Sequence, residues 1–183
     1  ANIISIVGRP NVGKSTLFNR LTESRKAIMD NQSGVTRDRH YGYGEWTDQY
    51  FTVIDTGGYV VGSEDIFEGA IRDQVVMAIE ESNVVLFMVD TMTGLTDLDK
   101  DFANILRRFN KPVYLVANKA ETTERYQSAA EFYELGMGDE IFAISAQTGF
   151  GTGELLDRVI QHFDTAGVED PEQRQLWLAG RGA

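Results

Sequence analysis

Three observations predict an α/β domain built on a mostly parallel sheet. Short apolar runs alternate with segments of helical spacing along almost the whole chain. Two of the runs, Val84 to Val89 and Val113 to Ala117, are continuously apolar, as strands covered on both faces are. His40 to Trp46 and Gln49 to Ile54, separated by Thr47-Asp48, have hairpin spacing, which puts one antiparallel strand into the sheet.

The first run, Ile3 to Val7, leads directly into Gly8-Arg9-Pro10-Asn11-Val12-Gly13-Lys14-Ser15-Thr16. That stretch fits Gly-x-x-x-x-Gly-Lys-Ser/Thr without a gap and reads as a nucleotide phosphate site. Glycines let backbone N–H groups curl round an anion, the lysine meets the outer phosphates, and the hydroxyl meets Mg²⁺. A helix beginning near Lys14, with Leu17 and Leu21 on its apolar face, adds its positive end. In the hairpin, Tyr43 and Trp46 read as packing residues.

Helical spacing then returns at Phe67, Ile71, Val75, Ala78 and Ile79, before the Val84 run, and at Phe102, Ile105, Leu106 and Phe109, before the Val113 run. A last strand is expected from Ile141 to Ile144 and a last helix over Leu155, Leu156, Val159, Ile160 and Phe163, all core positions. Gly149, Gly151 and Gly153 form a loop feeding that helix. Asp97, Asp99 and Asp101 imitate the start of a calcium loop, but Phe102 and Arg108 stand where Gly and Glu are needed. They read instead as acids favouring a helix start.

At 183 residues, 42% hydrophobic and 25% charged, the chain has ordinary globular composition for one domain, expected over residues 1–163. Residues 164–183 carry no strong apolar period and read as a linker or appended tail. No cysteine is present, which excludes disulfides and thiolate zinc and agrees with a reducing compartment. The apolar runs are too short to span a bilayer, and the first residues lack a signal-peptide pattern, so a cytoplasmic protein without membrane partners is expected. Net charge is −11, from 17 basic against 28 acidic side chains. A surface of that sign repels nucleic-acid phosphate, so no direct nucleic-acid binding is expected of this stretch. It also requires that the nucleotide be held locally, by N–H groups, Lys14 and metal.

In open α/β sheets ligands bind outside the carboxyl ends of the strands. The first strand runs into the phosphate loop, the hairpin ends in Asp55-Thr56-Gly57-Gly58, the Val113 strand in Asn118-Lys119-Ala120-Glu121, and the Ile141 strand in Ser145-Ala146. This set matches the GTPase signature. With Gly34-Val35-Thr36-Arg37-Asp38-Arg39, it resembles the first G domain of the Der (EngA) family of Era-like P-loop GTPases, over about Ile3 to Phe163.

The resemblance implies a doubly wound, six-stranded, mostly parallel sheet with helices on both faces. It implies GTP as substrate and GDP as product, with Ser15 and Thr36 as Mg²⁺ ligands and Thr36 on a loop ordered by the γ-phosphate. Asp55 would hold Mg²⁺ through water, and the Gly58 amide would sense the γ-phosphate. Asn118 and the carboxylate at Glu121 would choose the base, the Lys119 stem would cover it, and the Ala146 amide, beside Ser145, would meet the guanine carbonyl. Here the chain departs from the family, whose motif is Asn-Lys-x-Asp. Glu121 keeps the charge and adds about 1.5 Å of reach, so guanine preference is expected to survive with weaker affinity.

Tyr59 stands where many GTPases place a water-orienting glutamine, so hydrolysis needs another element. Asn11 resembles the asparagine that ligates K⁺ in cation-activated relatives, with Asn31 a weaker candidate, and K⁺ would offset charge developing in the transition state. Arg37 and Arg39 could act on the phosphates instead. The resemblance also implies, in a longer protein, a second G domain, a KH-like domain and the large ribosomal subunit as partners. Two other readings remain: a switch that binds GTP and GDP but barely hydrolyses, and an ATP-using P-loop kinase or ATPase.

Overall fold

The computed structural model describes residues 2–22, 41–59, 69–138 and 140–164. Thr36, Asn31, Arg37, Arg39 and Phe67, and the tail from residue 165 on, lie outside the described residues, as does the Ile71 side chain.

Strand β1 (Ile3–Val7) is followed by the phosphate loop and helix α1 (Lys14–Thr22). The hairpin is β2 (Tyr41–Trp46) and β3 (Gln49–Asp55), turning through Thr47 and Asp48 at positive φ. A 3₁₀ turn, Thr56–Tyr59, comes next, then α2 (Gly69–Glu81) and β4 (Val84–Asp90). Helix α3 (Asp97–Leu106) and β5 (Val113–Asn118) follow. Helix α4 (Thr123–Ser128) continues as a 3₁₀ segment, Ala129–Leu135, into β6 (Ile141–Ala143). The last helix is α5 (Thr152–Val159), closed by a 3₁₀ turn at Ile160–His162.

The six strands form one sheet in the order β2-β3-β1-β4-β5-β6. Four neighbouring pairs are parallel, and only β2 with β3 is antiparallel, as the sequence predicts. All seven residues of β4 are buried, and the six apolar ones alternate between two cores. Val84, Leu86 and Met88 meet one face with Leu17 and Leu21 of α1 and Leu155, Leu156 and Val159 of α5. Val85, Phe87 and Val89 meet the other, with Val75 and Ile79 of α2 and Phe102, Ile105 and Leu106 of α3. The run is apolar at every position because both faces of the strand are covered. Phe109 and Ile160, expected as core, are only partly buried at the margins of these clusters.

Helix starts follow the capping chemistry. Thr96 accepts from the Asp99 amide at 3.2 Å while the Asp99 carboxylate accepts from the Thr96 amide at 3.0 Å, a reciprocal pair at the head of α3. Asp97 and Asp99 open this helix as read from the sequence. Trp46 packs against the first core and donates to Asp157 at 2.8 Å, the packing role expected of it.

The edge strand β2 approaches α1 at backbone distance because it carries glycine there. A Cβ on Gly44 would stand 2.4 Å from the Leu21 carbonyl oxygen, and one on Gly42 would stand 2.8 Å from Thr22 Cγ2. The two ends of the described chain meet, Asn2 and Asp164 exchanging two hydrogen bonds of 3.2 and 3.0 Å.

Candidate functional site

The phosphate loop leaves β1 at Gly8 and enters α1 at Lys14. Asn11 and Gly13 both take positive φ, 70° and 104°. Gly13 has two reasons to be glycine: its backbone angle, and a Cβ position only 2.2 Å from Asn118 Nδ2. Lys14 is buried, and its ammonium donates at 2.7 Å to the carbonyls of both Gly8 and Arg9. Burial drives its pKa down to about 8, with Asp55 pulling the other way and Arg9 adding to the fall. At the end of β3, Asp55 is buried and its Oδ1 accepts from the Gly57 amide at 2.9 Å. Thr56 donates to the Ile6 carbonyl at 2.7 Å, locking this strand end to β1. Gly58 lies in the 3₁₀ turn just beyond.

These groups border a cleft of about 610 Å³, with Asn11, Lys14, Ser15, Asp55, Gly57 and Lys119 in its walls. A second cleft of about 370 Å³ opens between the ends of β5 and β6, with Glu121, Tyr126, Ser145, Thr148 and Phe150 among its lining residues. Glu121 is exposed there.

Asn118 joins the two. It is buried, its Nδ2 donates to the Val12 carbonyl of the phosphate loop at 2.9 Å, and its Oδ1 accepts from the Ala146 amide at 2.9 Å. The Ala146 amide, expected to meet a base carbonyl, is therefore engaged by Asn118 and fixes the loop after β6. Lys119 takes positive φ, 66°, and its ammonium bridges the Asn11 carbonyl at 3.0 Å and Asp90 at 2.9 Å.

Sequence reasoning missed the charged groups beneath the loop. Asp90, at the end of β4, receives Lys119, the Met92 amide and the Thr93 hydroxyl. Burial pushes its carboxyl up, but these three donors outweigh it and hold the pKa below the ordinary value. Arg9 lies between Asp90, 4.0 Å away, and the buried Asp99, 3.4 Å away. Burial raises Asp99 above the usual carboxylate range despite the Thr96 bonds and Arg9. The rule that ligands sit at strand ends applies to β4 as much as to the other strands, and it points to Asp90. Arg20 gives no such signal, yet it donates to the carbonyls of Ala146 and Gln147 at 2.7 and 2.8 Å.

Ser15 and Asp55 offer hard oxygens on the first cleft, the donor type Mg²⁺ takes while keeping waters and phosphate oxygens as its other ligands. Among the described residues no three His, Cys, Asp or Glu gather to hold a metal by themselves. The donor set fits an ion shared with a phosphate ligand.

A family model described as 50S ribosome-binding GTPase matches residues 3–119. A protein named GTPase Der from Cytophaga hutchinsonii is 64% identical over 173 residues, covering 94% of this chain and 40% of that one. Its namesake from Bacteroides thetaiotaomicron is 53% identical over 182 residues, covering 98% and 41%. The chain thus spans about two-fifths of the length of these relatives. Among solved structures, Era in complex with MgGDPNP and nucleotides of 16S ribosomal RNA is similar at 28% identity and a TM-score of 0.73, covering 93% of this chain and 59% of that chain. A tyrosine-to-alanine variant of Aquifex aeolicus Era bound to GDP.AlF4- is similar at 26% identity and a TM-score of 0.69, with the same coverage.

Proposed function

The chain belongs to the 50S ribosome-binding GTPase family, and from that premise we propose that it hydrolyses GTP to GDP and phosphate with Mg²⁺ and K⁺. The observation that carries this reading is Asn118, which ties the phosphate loop to the Ala146 loop and makes the two clefts one bipartite site. In this reading the first cleft takes the triphosphate and the second the base.

Within that site Lys14 exchanges its loop carbonyls for β- and γ-phosphate oxygens, and the loop amides around Gly13 cradle the same anion. Ser15 would hold Mg²⁺ directly and Asp55 through water, with Thr36 as a further ligand, and the Gly58 amide would meet the γ-phosphate. Mg²⁺ supplies charge neutralisation on the phosphates. Asn11, exposed at the cleft rim, would offer its amide oxygen to K⁺, which would supply the positive charge an arginine finger gives elsewhere. Glu121 accepts from the two adjacent N–H donors of guanine, which adenine lacks.

By the resemblance of its relatives, the chain acts as a nucleotide-dependent switch in large-subunit ribosome assembly. There it works beside a second G domain and a KH-like domain, in the cytoplasm. No described helix is long and apolar enough to cross a membrane. Equilibrium competition of GDP against ADP, with Lys14→Ala as control, tests the nucleotide reading. GDP is expected to win by at least 100-fold, and equal binding overturns it.

Tyr59 following Gly58 favours a second reading, in which the domain binds GTP and GDP but barely turns over. Phosphate release from the isolated chain in KCl, measured beside Lys14→Ala, separates the two: a wild-type rate no higher than the variant's leaves only the switch.

A further inference from the structure

Arg20 lies on the last turn of α1, on the far side of the domain sequence from the loop it touches. Its Nε donates to the Ala146 carbonyl at 2.7 Å and its Nη2 to the Gln147 carbonyl at 2.8 Å. Its Nη1 lies 2.8 Å from the place a Cβ on Gly149 would occupy, and Gly149 takes a φ of +92°. The planar fork is thus fitted under a loop that has left room for it. No carboxylate pairs with Arg20 among the described residues, and two of its three nitrogens, Nε and Nη2, donate to backbone oxygens.

A trans peptide points its carbonyl and its N–H in opposite directions. Holding the Ala146 and Gln147 carbonyls against α1 therefore turns the N–H groups of Gln147 and Thr148 away from α1. The Thr148 amide is taken by Ser145 Oγ at 3.1 Å. The Gln147 amide donates to no group among the described residues. It is held between Ser145 and Thr148, both of which line the second cleft. The Ala146 amide is already committed to Asn118. Of the three amides from Ala146 to Thr148, that of Gln147 alone is left without an acceptor among the described residues.

We infer that Arg20 is a positioning residue for base selection: by clamping the Ala146 and Gln147 carbonyls it presents the Gln147 amide to the 6-oxo group of a purine. The inference rests on the guanine reading above and adds to it a residue outside the signature motifs. A 6-oxo group accepts from this amide, whereas a 6-amino group opposes it with a second donor. A planar fork holds two carbonyls at once, which a single ammonium does not. Lys in place of Arg should therefore restore the effect only in part.

The test measures equilibrium affinities of the full chain for GDP, for inosine diphosphate, which keeps the 6-oxo group and lacks the 2-amino, and for 2,6-diaminopurine riboside diphosphate, which replaces the 6-oxo with an amino. For Arg20→Gln the preference for GDP over the diaminopurine ligand should fall about tenfold while the GDP to inosine diphosphate ratio stays at the wild-type value. Arg20→Lys should lie between. A merely structural role lowers all three affinities together, and an unchanged diaminopurine ratio in Arg20→Gln overturns the inference. If Arg20→Gln does not fold, Arg20→Lys decides, a wild-type ratio overturning it. A wild-type chain without preference for GDP over ADP removes the guanine reading itself, a different result from a wild type that selects guanine through variants that all do so equally.

Discussion

Arg9 Nε stands 3.4 Å from Asp99 Oδ1, joining the phosphate loop to the first turn of α3 through a carboxylate with no solvent exposure. Asp99 also closes the reciprocal cap with Thr96, so one side chain holds both a helix start and the floor of the loop. Removing one partner of a buried pair leaves the other charge uncompensated, which costs about 3–5 kcal/mol. Arg9→Ala should lower the urea midpoint accordingly. The apolar double replacement Arg9→Met with Asp99→Leu should recover all but about 1 kcal/mol, the lost cap. A single variant as stable as wild type would show that the pair contributes nothing.

Lys14 sets a pH dependence on binding. Its pKa in the free chain is driven down to about 8 by burial, and phosphate oxygens beside the ammonium favour the charged form and raise it. The bound state therefore holds more protons than the free state above that value. Affinity for GDP should be level below pH 8 and weaken as pH rises beyond it, by up to tenfold per unit. Calorimetry near pH 8 in buffers of different ionisation enthalpy should detect proton uptake on binding. A flat affinity between pH 7 and 9.5 contradicts the assignment.

Gly44→Ala puts a methyl 2.4 Å from the Leu21 carbonyl oxygen and 2.5 Å from Phe51 Cε1, and the first of these is backbone that cannot rotate away. Overpacking of this kind costs about 1–3 kcal/mol. Thermal melting should fall by several degrees. Gly42→Ala meets the end of the Phe18 ring and Thr22 Cγ2, which are side-chain atoms, and should cost less.

The potassium proposal is tested by single-turnover hydrolysis in KCl and in NaCl. Wild type should be faster in KCl by at least tenfold. Asn11→Gly keeps the positive φ of 70° while removing the amide, so it should bind GDP normally and lose the difference between the salts. Equal wild-type rates dismiss K⁺ as an activator.

Glu121 stands exposed on the wall of the second cleft. Glu121→Asp should tighten GDP binding, since the shorter acid is the family's own residue, and Glu121→Ala should reduce GDP over ADP selectivity about 100-fold. Selectivity unmoved in Glu121→Ala would mean that this carboxylate does not read the base.

The strands were legible because burial on two faces writes itself as unbroken apolar runs, of which Val84 to Val89 is the clearest. The phosphate loop was legible because its work requires particular residues at fixed spacing, from Gly8 to Thr16. The stretch from Thr123 to Leu135 was not. None of the α4 residues is buried, so no apolar stripe marks it, and the buried residues that follow, Ala129, Phe132 and Leu135, recur every third position. That spacing suits a 3₁₀ segment and breaks the 3.6-residue period. The contact of Asp99 with Arg9 and the clamp of Arg20 were invisible for another reason. Each residue looks like an ordinary polar residue of a helix, and this task appears only when a distant loop folds beside it.

The close seating of β2 on α1 also bears on the residues between them. Thr22 and Gly42 meet side by side, so the two described residues that flank 23–40, Thr22 and Tyr41, are held near one another by the seam itself. The entropy of bringing them together is met before any nucleotide arrives. A side chain at Gly42 or Gly44 would therefore act twice, pushing strand from helix and parting the two points from which that stretch is hung.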